Sequence, residues 1–187
     1  MHTEPEPWSA TFGYLAASLF RSGRRAGPTP PSHLRLLRVL TVAWAGSLAL
    51  ILLVLWLVRP TEGAYPAGLL AVWAALAAAG WAGQQAADRW TRREIGAAAD
   101  APEAVAAYRS GFFIKTACAE IGALFALGVV LATDTGLLPY LIALPVSLAM
   151  LAAGAPRARH LAILQADIDA AGGSIKIVNA LMAPASA

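Results

Sequence analysis

The chain has 187 residues, of which 58% are hydrophobic and 13% charged, with a formal net charge of +3. Soluble domains average about 25% charged residues, so this composition, with a mean hydropathy of +0.60, excludes an ordinary soluble domain and points to the bilayer as solvent. A single cysteine, Cys118, and histidines only at His2, His33 and His160 give neither a disulfide framework nor a metal-ligand spacing, so no cofactor and no metal is expected.

Met1–Pro7 is acidic and has no basic n-region, which argues against a signal peptide. Trp8, Phe12, Leu15, Leu19 and Phe20 recur at roughly helical spacing over Trp8–Arg21, predicting a short interfacial helix with aromatic anchors. Gly27, Pro28, Pro30 and Pro31 make Arg24–Ser32 a linker. Four apolar stretches follow: Val39–Val58, Tyr65–Gly83, Phe112–Ala132 and Leu137–Gly154. Each is long enough to cross a hydrocarbon core of ~30 Å. Backbone groups in lipid must be satisfied within the element, so all four are predicted helices. Pro60 ends the first, and Pro66 is tolerable near the start of the second.

The second helix has no strong breaker through Gln84–Ala98. Asp100-Ala101-Pro102-Glu103 has an N-cap residue, an early-helix proline and an acid three residues on, which is a helix-start pattern. The third helix then runs from Ala101 to Ala132 and forms a hairpin with the second. Pro139 and Pro145 in the fourth stretch predict a kink. Beyond Pro156, Leu161, Ile163, Leu164 and Ile168 predict an amphipathic helix to Ala171, ended by Gly172-Gly173. Ile175, Ile177, Val178 and Leu181 form a second short apolar stretch. The expected fold is all-α: a four-span transmembrane bundle around a central helical hairpin, with short amphipathic helices at both ends. Residues 1–38 are the N-terminal segment, 39–154 the transmembrane domain and 155–187 the tail.

Of the 14 Lys and Arg residues, all but Arg59 and Lys115 fall before the first stretch, between the second and third, or after the fourth. The positive-inside rule makes that side cytoplasmic. Both termini are then inside, in the plasma (cytoplasmic) membrane. The arginines sit at membrane boundaries without an interleaved aromatic platform, so nucleic acid is not an expected partner; anionic lipid is.

The second helix carries Ala71, Ala75, Ala79, Gly83 and Ala87, one small residue every fourth position, and the third carries Gly122 and Ala126 on one ridge. Small residues four apart let helix backbones approach closely in lipid, so Ala75, Ala79, Gly83, Gly122 and Ala126 are the expected packing positions. Glu120 stands in the middle of the third apolar stretch. A carboxylate at the bilayer centre costs roughly 2.5–3.5 kcal/mol on insertion scales unless paired or protonated. Thr116, one turn earlier on the same face, is the expected partner for its carboxyl group. Two readings are open: an ion-carrying site formed by Glu120 and Thr116, or a neutral Glu120 bonded to a neighbouring helix. Lys115 is expected to snorkel to the headgroups. Asp88 and Glu94 are expected to pair with Arg89, Arg92 and Arg93, and Asp134 to cap a turn. No nucleophile–base arrangement is visible, so no catalytic residue is assigned and an enzyme is not expected.

Ala101-Pro102-Glu103-Ala104, Arg109, Phe113-Ile114, Ala117, Glu120 and Gly128 resemble the second helix of the ring-forming c subunit (proteolipid) of rotary ATP synthases. The resemblance spans residues 67–132 and is carried mainly by 101–132. It implies that Glu120 takes the proton-carrier position and that the loop before it faces the cytoplasm. Trp73, Trp81, Trp90 and Lys115 depart from the family pattern, as do the additional spans on both sides. The residues together favour a non-enzymatic accessory or helix-packing subunit, with other membrane subunits or further copies as partners. Proton- or cation-linked transport through Glu120 is the alternative.

Overall fold

The computed structural model describes residues 5–20, 31–59 and 67–185, with the side chains at 18–20 left aside. The Arg24–Ser32 linker, apart from its last residues, lies outside the described residues, as do Pro60 and Pro66. Among the described residues the regular structure is helical, apart from an isolated antiparallel bridge between Ser32 and Pro184. The helices are α1 (Trp8–Phe20), α2 (His33–Val58), α3 (Ala67–Ala97), α4 (Ala101–Ala132), α5 (Leu138–Gly154), α6 (Ala158–Ala170) and α7 (Ile177–Met182). By length and composition α2, α3 and α4 can each cross a membrane, with mean hydropathies of 2.3, 1.3 and 1.8. A fourth span exists if α5 and α6 form one broken span. The chain is therefore an all-α multi-pass membrane protein with three to four candidate spans.

The helix ends follow from local chemistry. Ser32 Oγ accepts the Arg35 backbone N–H at 3.2 Å, which caps the start of α2. At α4 the Asp100 carboxylate accepts the Glu103 N–H at 2.9 Å. Glu103 reaches back to the Ala99 N–H at 2.7 Å, so the start pattern legible in the sequence is a reciprocal cap. Pro139 is the second residue of α5, where its missing N–H costs nothing. Only Pro145 lies inside that helix. At the end of α6, Gly173 N–H bonds Ile168 O at 2.9 Å and Gly172 N–H bonds Asp169 O at 3.1 Å. With Gly172 at φ 77°, this is a Schellman stop. A Cβ on Gly173 would stand 2.7 Å from the Ile168 side chain.

The chain forms two compact units, and α2, α3 and α4 contribute residues to both. The hairpin unit comprises 41–89 and 111–154. Its core holds Leu48, Leu55, Ala119, Ala123, Ala126, Val130, Tyr140, Ala143, Met150 and Leu151. The terminal unit comprises the described residues of 1–40, 90–110 and 155–187. There Leu34, Leu37, Ile95, Leu161, Leu164, Ile168, Ile177 and Leu181 are buried. Ile163, expected on the apolar face of α6, is exposed, because a residue two positions from Leu161 faces the other side of a helix.

Within the hairpin unit, α3 and α4 approach closely at glycines. A Cβ on Gly80 would lie 2.5 Å from the Cys118 carbonyl oxygen, and one on Gly83 would lie 2.7 Å from Cys118 Sγ. Gly122 and Ala126 are buried, but Ala75 and Ala79 are exposed. The inward face of α3 in this unit is instead Gly80, Gln84 and Ala87. The reason is helical drift: at 3.6 residues per turn, each four-residue step overshoots by ~40°. The stripe from Ala71 to Ala87 therefore winds around the helix and meets α4 only at its far end.

Candidate functional site around Glu120

Glu120 projects from α4 between the buried Ala119 and Gly122 and is itself half-buried. Its turn of helix carries the fully buried Ala123 and the exposed Ile121 and Leu124. The buried Tyr140 of α5 is near enough for its hydroxyl to interact electrostatically with the carboxyl group, although that hydroxyl donates to Leu48 O and not to Glu120. Among the described residues, Glu120 makes neither a hydrogen bond nor an ion pair. Thr116 does not serve it. Its hydroxyl donates to Phe112 O at 3.0 Å, the back-bond to the preceding turn that a buried threonine makes in a helix. Thr116 is thereby satisfied by its own helix, and the expected Thr116–Glu120 pairing is not formed.

Lys115 also departs from expectation. Its ammonium pairs with Asp88 of α3 at 2.8 Å, and the lysine side chain is only 12% exposed. It is anchored to a partner rather than extended to headgroups. Asp88 thus belongs to Lys115 and not to the neighbouring arginines. Within the terminal unit, Arg92 pairs with Asp167 of α6. Asp134 does not cap the turn after α4. That turn is closed by hydroxyls: Thr133 Oγ1 bonds Val129 O at 2.8 Å and lies 2.9 Å from Thr135 Oγ1. Thr133 back-bonds to the helix and accepts the Thr135 N–H at 3.4 Å, while Asp134 between them is exposed.

Three further polar side chains, Gln84, Trp73 and Tyr140, lie at helix contacts of the hairpin unit. Gln84, 3% exposed, donates its amide to Lys115 O at 3.0 Å and to Met150 O at 3.2 Å. One side chain of α3 thereby ties backbone on both α4 and α5. The signal was a glutamine immediately following the apolar stretch, which reads as a boundary until the packing is known. Trp73 presents a buried indole N–H without a hydrogen-bond partner. That nitrogen lies 3.2 Å from the position a Cβ on Gly122 would take, and Ser147 Oγ lies 3.8 Å from the same point. Gly122 is therefore what admits the indole between α4 and α5. Tyr140, fully buried, donates to Leu48 O at 3.0 Å and ties α5 to α2.

Chemically, the surroundings offer Glu120 neither a base nor a cation. Among the described residues no group of three or more His, Cys, Asp or Glu side chains is placed to hold a metal ion. What remains possible for a lone carboxyl group on an apolar helix is to hold a proton or to accept a donor from outside the chain. No family model, curated protein or solved structure matches this chain. The functional reading therefore stands on these side chains.

Proposed function

We propose that this chain is a non-enzymatic, multi-pass subunit of a membrane assembly, and that Glu120 is the group it offers to a companion helix. The observation that carries this reading is the half-buried Glu120 carboxyl group without a hydrogen bond or ion pair of its own among the described residues. An ionised carboxylate kept in hydrocarbon needs a donor or a proton. The same medium explains the apolar side chains displayed by α2 and α4, among them Leu50, Leu53, Val54, Leu57, Leu124 and Leu131. The arginine distribution supports the cytoplasmic membrane with both termini inside. Extraction of the tagged chain in a mild detergent, followed by mass analysis, tests the proposal. A defined assembly that is lost on Glu120→Ala and retained on Glu120→Gln supports a hydrogen-bonded companion. A chain that extracts alone in both forms overturns it.

A second reading is favoured by the same lack of a fixed partner: Glu120 as a proton or cation carrier, in the manner of the c subunit that α4 resembles. A carrier must release its ion, and a carboxyl group not locked into a pair is free to do so. Carbodiimide should then modify Glu120 in a pH-dependent way, and Glu120→Gln should abolish proton flux in liposomes. Equal flux in the two forms removes the carrier reading.

A further inference from the structure

A groove of about 400 Å³ in the hairpin unit is lined by Ala49, Leu52, Leu53, Trp56, Leu137 and Leu141. That volume lies toward the small end of ligand sites, which span ~300–1,000 Å³. Every lining side chain is apolar. Four come from α2 at positions 49, 52, 53 and 56, which is the spacing of one helical face. The next position on that face is Arg59, one residue beyond the end of α2. Its guanidinium donates to Leu131 O of α4 at 3.2 Å. A guanidinium carries five N–H donors, and one bond to a carbonyl leaves others for an anion. An apolar channel thus ends at a cation placed where a membrane-spanning helix emerges.

The geometry points to a bound glycerophospholipid, with one acyl chain in the groove and its phosphodiester at Arg59. Charge complementarity selects this occupant. A planar guanidinium matches phosphate oxygens in a fork, and phosphodiesters are the abundant anions at the boundary where Arg59 stands. A partner helix would fill the groove without any use for the cation. Trp56 between them is an aromatic of the kind that sits at the headgroup level. The site depends on α2 spanning the bilayer and is independent of any role for Glu120.

The experiment is native mass analysis of the full chain in mild detergent with added dioleoyl phosphatidylglycerol, through a delipidation series. Wild type should retain one lipid per chain, and Arg59→Lys, which keeps the charge but not the fork, should retain less than wild type and more than Arg59→Gln. Arg59→Gln should retain about tenfold less, the loss of one charge-assisted contact. Ala49→Trp fills the groove from an exposed position and should retain none; Leu141→Trp does the same from the opposite wall, and the helical circular dichroism signal verifies folding of both. Dioleoylglycerol, which lacks the phosphate, should be held no better by wild type than phosphatidylglycerol is by Arg59→Gln. Equal retention by all variants overturns the site, as does equal retention of oleate. So does a lipid-free dimer in which a second copy occupies the groove. Liposome flotation separates this outcome from the membrane reading: a chain that fails to float contradicts the membrane reading itself, whereas one that floats without a retained lipid contradicts the site alone.

Discussion

The hairpin unit and the terminal unit are built from the same helices but held by different means. In the hairpin unit, contact is made through absent side chains: Gly80, Gly83 and Gly122 bring the α3 and α4 backbones against Cys118 and Trp73. Polar ties between its helices include Gln84 to two carbonyls, Tyr140 to Leu48, Lys115 to Asp88 and Arg59 to Leu131. In the terminal unit, arginines do the holding. Arg38, 1% exposed, donates to the carbonyls of Pro156 and Glu6 and lies 5.0 Å from the Trp8 ring centroid. Arg35 forms a two-pronged pair with Glu6, and Lys176 pairs with Asp169 at 2.8 Å. The contrast is the one expected of a hairpin unit in lipid and a terminal unit in water. Where lipid surrounds a helix there is no hydrophobic gain from association, so close backbone approach and a few hydrogen bonds carry it. Where water is present, apolar burial and planar cationic groups do more.

The difference can be broken deliberately, beginning with the largest effect. Arg38→Ala removes a buried cation and strands two carbonyls. It should cost about 2–4 kcal/mol, expose residues 155–185 to protease, and leave the thermal transition of the hairpin unit nearly unmoved. Gly80→Val is the converse. Its side chain meets the Cys118 backbone, and overpacking costs typically 1–3 kcal/mol. Detergent melting should fall while protease resistance of the terminal unit persists.

Smaller effects sharpen the same division. Gln84→Leu removes a donor from two helix carbonyls and should cost about 1–2 kcal/mol, read as a lower melting temperature in detergent. Asp100→Ala deletes the cap of α4 and should cost about 1 kcal/mol, seen as faster amide exchange over residues 101–104 alone. If the two classes of variant moved both units equally, the division between them would be wrong.

The sequence carried the elements well, because their signals are local. The Asp100–Glu103 cap, the Gly172-Gly173 stop and the apolar stretches of α2 and α4 depend on near neighbours or on composition. What it did not carry depends on the azimuth of one helix against another. The small-residue stripe on α3 is regular in sequence but winds off the contact face, so Ala75 and Ala79 point outward while Gly80 and Gln84 point in. Arg38 reads as one more basic residue in a topology count, and only tertiary structure brings the carbonyl of Pro156 and the ring of Trp8 to it. Lys115 and Asp88 are 27 residues apart, and no periodicity joins them. For the candidate site, the position of Glu120 on an apolar helix was legible. Its separation from Thr116 was not, because a threonine in a helix has its own carbonyl within reach.

The most direct test concerns where residue 120 stands. A cysteine placed there, Glu120→Cys in a Cys118→Ala background, can be offered a membrane-impermeant maleimide in intact and opened vesicles. Gly96→Cys, on an exposed turn of α3 with open space around it, serves as the wetted control. Residue 120 should stay unlabelled from both sides while the control reacts readily in opened vesicles. Labelling of residue 120 at the rate of the control would place the carboxyl group in bulk water, and its need for a companion would vanish.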